Sequence, residues 1–91
     1  MKAMAILRDS SFESAEEQRL SITSFAQSEN IKVAYWHQIF EDNYAGIYDK
    51  LPKLDAVIVT KVSRISKEVK MLDEFKKTLN KNGVKFISMF S

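Results

Sequence analysis

Two short apolar runs, each ending within one residue on cations and hydroxyls, constrain this chain more than any other feature. Apolar residues extend from Ala3 to Leu7 without helical spacing and give way to Arg8, Asp9, Ser10 and Ser11. Leu54 to Thr60 is a second run, β-branched through Val57, Ile58 and Val59, and is followed by Lys61, Ser63, Arg64, Ser66 and Lys67. Runs this short and this apolar read as strands buried on both faces, the pattern of a parallel sheet covered by helices. Ligands of such sheets gather at the carboxyl ends of the strands. If the two strands are neighbours, one or two serine hydroxyls meet two arginines and two lysines, a constellation suited to a serine acting on a phosphate.

The intervening segments support that sheet. From Ser14 the spacing turns helical, with Ala15, Gln18, Ile22, Phe25, Ala26 and Glu29 three and four apart, and Ser14 with Glu17 forms a capping-box signature. A helix of about four turns follows from this pattern. Gln18 falls on its inward stripe beside the Ser10 loop, and a buried amide requires polar partners. Ile31 to Phe40 alternates as an edge strand, with Val33, Tyr35, His37 and Ile39 set against Ala34, Trp36, Gln38 and Phe40. Glu41 to Gly46 reads as a turn, and Ile47 to Leu51 as one helical turn stopped by Pro52.

A second amphipathic helix is predicted from Ile65, Val69, Leu72, Phe75 and Leu79, capped at its start by Ser63 or Ser66 and stopped by Asn82-Gly83. Val84 to Phe90 closes the chain as a fourth strand. The order β-α-β-(short α)-β-α-β implies an α/β, flavodoxin-like three-layer sandwich with helices on both faces. Its strand order 2-1-3-4 makes the first and third strands adjacent.

Bulk composition excludes several classes. At 91 residues the chain is one domain, spanning 1–91, and its 45% hydrophobic and 29% charged residues are ordinary for a soluble globular protein. The net charge of +2 is too balanced to argue nucleic-acid binding by itself. Without cysteine there is no disulfide framework, thiolate metal site or cysteine nucleophile, which fits a cytoplasmic location. No segment approaches the roughly 20 apolar residues of a membrane span, so no membrane association is expected.

The single histidine, His37, sits in mid-strand without an acidic partner, so a Ser-His-Asp hydrolase is not expected. Phosphoryl transfer instead needs guanidinium and ammonium groups around the equatorial oxygens, which Arg8, Arg64 and Lys67 supply around Ser10. With 2 glycines the chain has neither a P-loop nor a dinucleotide fingerprint. No cofactor and no metal ion are expected.

These residues resemble a known family. Leu7-Arg8-Asp9-Ser10-Ser11 resembles the Tyr-x-Arg-Val-Ser-Thr opening of serine recombinases, the resolvase and invertase group. Glu17-Gln18, Ile22 and Phe25-Ala26 are similar to its Gln-x-x-x-Leu-x-x-Tyr-Ala helix. Ala56 to Lys67 is similar to its Val-Leu-Val-Tyr-Lys-Leu-Asp-Arg-Leu-Ser-Arg signature, and Asn82 to Ser88 to its Gly-Val-x-Phe-x-Ser strand. The resemblance implies the catalytic domain of a site-specific DNA recombinase, which cuts and rejoins DNA through a covalent phosphoserine and self-associates as a dimer or tetramer. Ser10 then matches the nucleophile, Arg8 and Arg64 the active-site arginines, and Gln18 the motif glutamine. Lys67 joins them, with Ser11, Lys61 and Lys50 as DNA phosphate contacts.

The chain departs from the family pattern at three places. Ser63 stands where the family has aspartate, Lys67 where it has arginine, and 42–53 contains no arginine where the family places one. A lysine keeps the charge but loses the planar fork that grips phosphate through two bonds. Residues 1–91 end with the expected fourth strand, so the long dimerisation helix and the DNA-recognition domain of the family are not expected within them. The alternative readings are a degenerate recombinase fold serving as an interaction or regulatory module, and an unrelated flavodoxin-like domain that binds a small anion.

Overall fold

The two apolar runs form the centre of the sheet. The computed structural model describes residues 1–41 and 43–90. Its elements are β1 (Lys2–Leu7), α1 (Ala15–Ser28), β2 (Lys32–Gln38), α2 (Ala45–Tyr48), β3 (Ala56–Val59), α3 (Val69–Lys81) and β4 (Lys85–Ser88), with 3-10 turns at Leu51–Lys53 and Val62–Arg64. All four strands run parallel in the order β2-β1-β3-β4. Ala3, Met4 and Ala5 lie beside Ala56, Val57 and Ile58, so the first and third strands are neighbours. This is the α/β flavodoxin-like arrangement that the element order implied.

Alternation along the strands divides the core. Ala3, Ala5, Leu7, Ala56 and Ile58 face α1 and meet Ile22 there. Met4, Ile6, Val57 and Val59 face the other way and meet Ile47, Leu51, Phe75 and Leu79 of the α2 and α3 side. Burying a side chain such as Ile22 or Phe75 fully is worth about 1.5–3 kcal/mol, and both are closed to solvent. The paired layers therefore hold both faces of β1 and β3.

Both long helices end by the same device. At α1, Ser14 Oγ accepts from the Glu17 N–H (3.1 Å) while Glu17 Oε1 accepts from the Ser14 N–H (3.2 Å), completing the capping box. Its far end turns on Asn30 at φ +55°, and the Ile31 N–H reaches back to the Ala26 carbonyl at 2.8 Å. At α3 the equivalent residue is Gly83 at φ +69°, and the Val84 N–H reaches the Leu79 carbonyl at 2.9 Å. A left-handed residue followed by a six-residue back-bond is the Schellman stop. In each case it delivers the chain directly into a strand.

Several local expectations need correction. The last helix begins at Val69 rather than near Ile65, because Val62–Arg64 forms a separate 3-10 turn. Neither serine caps it: Ser66 Oγ accepts from the Glu68 N–H at 3.0 Å, a local turn two residues long, and the α3 start has no side-chain cap. Val69, placed on the inward stripe by spacing, is 76% exposed, whereas Ile65 is buried outside the helix. The short helix opens at Ala45, two residues before Ile47, and Pro52 lies within the 3-10 turn that follows it. Asp42, assigned to the preceding turn, lies outside the described residues. β2 is an edge strand as expected, but its alternation is broken. The register skips from Ala3 opposite Val33 to Met4 opposite Tyr35, leaving Ala34 as a bulge. Val33 therefore joins Trp36 against α1, while Tyr35 faces the opposite core.

Candidate functional site

The chain leaves β1 at Leu7 and β3 at Val59 on the same edge of the sheet, so the two polar loops meet. Between them lies an open cleft of about 600 Å³, lined by Arg8, Ser10, Ser11, Lys61, Arg64 and Lys67 among others. Ser10 and Arg64 thus share one rim, the spatial relation on which the phosphate reading depends. Among the described residues, four cations line the cleft against two carboxylates, Asp9 and Glu68.

Arg8 stitches the two loops together. Its Nε donates to the Arg64 carbonyl at 2.8 Å, and its Nη2 donates to the Ile65 carbonyl at 3.0 Å and to Tyr44 Oη at 3.4 Å. The Tyr44 hydroxyl donates to the same Ile65 carbonyl at 2.5 Å. These bonds take the carbonyls at the end of the 3-10 turn out of any helical ladder, so the helix starts later than sidechain spacing suggests. A charged donor gives a stronger bond than a neutral one, and here it fixes one wall of the cleft to the other.

Gln18 shapes the first loop from beneath. It is 0% exposed, and its Oε1 accepts from the Arg8 N–H at 3.0 Å. Its Nε2 donates to the Arg8 carbonyl at 2.5 Å and to the Glu13 carbonyl at 3.1 Å. The amide thereby takes the place of a neighbouring strand for one residue beyond β1. Its polar surroundings are those expected of a buried amide.

Ser10 closes the same loop on itself. Its Oγ accepts from the Glu13 N–H at 3.0 Å and the Phe12 N–H at 3.3 Å, and donates to the Glu13 carbonyl at 3.1 Å. Ser11 and Lys61 stand exposed at the cleft, as does Lys67. Lys50 does not join them: it is half-buried, with Nζ 5.6 Å from the centre of the Tyr35 ring, and is not a lining residue. His37 also stands apart, its Nε2 3.1 Å from the Asn43 carbonyl.

Sequence reasoning passed over Glu13. Its Oε1 accepts from Thr60 Oγ1 at 2.8 Å and lies 3.4 Å from both Nε and Nη2 of Arg64. Arg64 is only 4% exposed. A guanidinium so nearly buried needs an anion within reach, and Glu13 meets that need. Helical spacing does not single it out, because Glu13 precedes the first residue of α1.

No protein-family model matches the sequence, and no curated protein does. Solved structures do. The N-terminal catalytic domain of TP901-1 integrase is 24% identical with a TM-score of 0.86, over 98% of this chain and 77% of that one. The C-terminal catalytic domain of ISC1926 TnpA, an IS607-like serine recombinase, is 17% identical with a TM-score of 0.84, over 100% of this chain and 69% of that one. The order of strands, the convergence of the β1 and β3 loops and these likenesses agree on one architecture: the chain has the fold of serine recombinase catalytic domains.

Proposed function

We propose that this domain cuts and rejoins DNA, with Ser10 as the nucleophile. In that reaction a bond forms between Ser10 Oγ and phosphorus as a phosphorus–oxygen bond to one deoxyribose breaks. The Oγ proton leaves, and the departing deoxyribose oxygen takes one up. One phosphodiester replaces another, so the step needs no external energy source, and its reverse with a different strand end completes an exchange. Self-association to a dimer or tetramer would bring the second strand end.

The observation that supports this reading is the cleft that Ser10 lines together with Arg64, Lys61 and Lys67. Cations fixed around a transferring phosphoryl group stabilise the charge that develops on its oxygens. Ser11, Lys61 and Lys67 are the exposed phosphate contacts. Arg8 and Gln18 act through the backbone they hold, and Lys50, seated over Tyr35, takes no part. Attack requires the Ser10 hydroxyl to leave its bonds with Glu13, so the loop 10–13 must rearrange when DNA enters.

Incubating the protein with a pool of nicked duplexes of random sequence tests the reading. A denaturation-resistant protein–DNA adduct is expected in the wild type and absent in Ser10→Ala. An adduct that survives the substitution overturns Ser10 as nucleophile.

A second reading is favoured by the engagement of Ser10 within its own loop and of Arg8 with the Arg64 and Ile65 carbonyls. On this reading the domain is a recombinase fold retained as an interaction or regulatory module. It predicts no adduct from the wild type and cleavage in Ser63→Asp/Lys67→Arg.

A further inference from the structure

We infer that Glu13 is a positioning residue for Arg64, a role that rests on reading the cleft as a phosphodiester site. Glu13 touches both halves of the cleft. Its backbone N–H and carbonyl bond the Ser10 hydroxyl, and its carboxylate faces the Nε and Nη2 edge of Arg64 across from β3. Thr60, 0% exposed, holds the same carboxylate oxygen at 2.8 Å. The anion is therefore anchored by the floor of the cleft and does not hang from the arginine.

The geometry divides the guanidinium. One edge is committed to Glu13, while Nη1 donates to no protein atom among the described residues and is not sealed from solvent. Because Arg64 lines the cleft, Nη1 is the group available to an entering anion. The separations of 3.4 Å are long beside the roughly 2.7–2.9 Å of a tight charge-assisted bond. Glu13 thus supplies a fixed neighbouring charge that orients the arginine without saturating it. The same residue sets where the Ser10 hydroxyl sits, so nucleophile and cation take their separation from one side chain and its own peptide groups.

The alternative role for such a carboxylate is competition, in which it occupies the seat that phosphate needs. The two roles predict opposite signs. Binding of a short DNA duplex is compared in the wild type, Glu13→Ala, Glu13→Gln, Arg64→Ala and the Glu13→Ala/Arg64→Ala double variant. A positioning role predicts about tenfold weaker binding in Glu13→Ala, the size of one charged hydrogen bond. It predicts recovery to within about threefold in Glu13→Gln, which keeps an acceptor for Thr60 and Arg64, and no further loss from Glu13→Ala once Arg64 is gone. Side-chain NMR supplies a signature that folding alone does not move: the Arg64 guanidinium resonances stay distinct in the wild type and Glu13→Gln and merge in Glu13→Ala.

Equal or tighter binding in Glu13→Ala, or losses that add in the double variant, overturns the inference while leaving the phosphate site intact. Wild type and Arg64→Ala binding alike overturns the phosphate reading itself, and this inference with it.

Discussion

Replacing Gln18 by methionine separates the hydrogen bonds of its amide from its bulk. The two side chains have similar volume, so the packing beneath the first loop is kept while three bonds disappear: one from the Arg8 N–H and two to the Arg8 and Glu13 carbonyls. A buried backbone group left without a partner costs about 1–3 kcal/mol. The loop groups here are part-buried and recover some hydration, so the expected loss is about 2–4 kcal/mol. Against a total stability of about 5–14 kcal/mol for a chain of this length, that is a large fraction. Urea unfolding followed by the fluorescence of Trp36, the single tryptophan, reads the change directly, and the melting temperature should fall by at least about 10 °C. Amide exchange in the loop 8–13 should quicken at the same time. A Gln18→Met variant within about 0.5 kcal/mol of the wild type would refute the claim that this amide holds the loop 8–13.

The remaining predictions concern the helices and one titrating group. Gly83→Ala should cost about 1 kcal/mol in urea unfolding from strain at φ +69° alone, since a Cβ there meets nothing within 4 Å. Val69→Thr should change stability by under about 0.5 kcal/mol, whereas Phe75→Ala should cost about 3–5 kcal/mol, reversing the equivalence that helical spacing assigns them. Burial, and then the charge of Glu74, raises the Tyr48 phenol above its ordinary 10.0. The unfolded chain therefore releases this proton first, so the contribution is intact below pH 10 and is lost as the pH rises through the folded value. Melting temperatures of the wild type and Tyr48→Phe, compared between about pH 9 and 11, should show the steeper decline in the wild type and a smaller difference in a Glu74→Gln background.

What the sequence made legible was whatever local chemistry decides. The β-branched run ending at Thr60, the Ser14–Glu17 box and the Asn82-Gly83 stop each act over a few residues, and each stands where its pattern put it. The start of α3 was hidden because the Arg8 side chain, more than fifty positions away, takes the carbonyls of Arg64 and Ile65. Spacing counted Ile65 and Val69 into one helix, but a tertiary bond ended the ladder between them. The cleft was legible in outline from the two strand ends. Its internal wiring was not: the bonds of Ser10 to its own loop, and those of Glu13 to Thr60 and Arg64, depend on side-chain directions that residue order does not carry.

The bulge at Ala34 gives the outer strand a parity of its own. Side chains along a pleat count modulo two, so a lone supernumerary residue swaps every later position between layers, and a pair restores them. Deleting Ala34 would leave Val33 and Tyr35 as consecutive residues, which alternate by themselves, so each would keep the layer it already faces. Loss of Ala34 alone should therefore be tolerated, whereas loss of Ala34 together with Tyr35 would put Trp36 on the face opposite Val33 and exchange the layers beyond it. Soluble yield should hold in a variant lacking Ala34 and fall in one lacking both Ala34 and Tyr35.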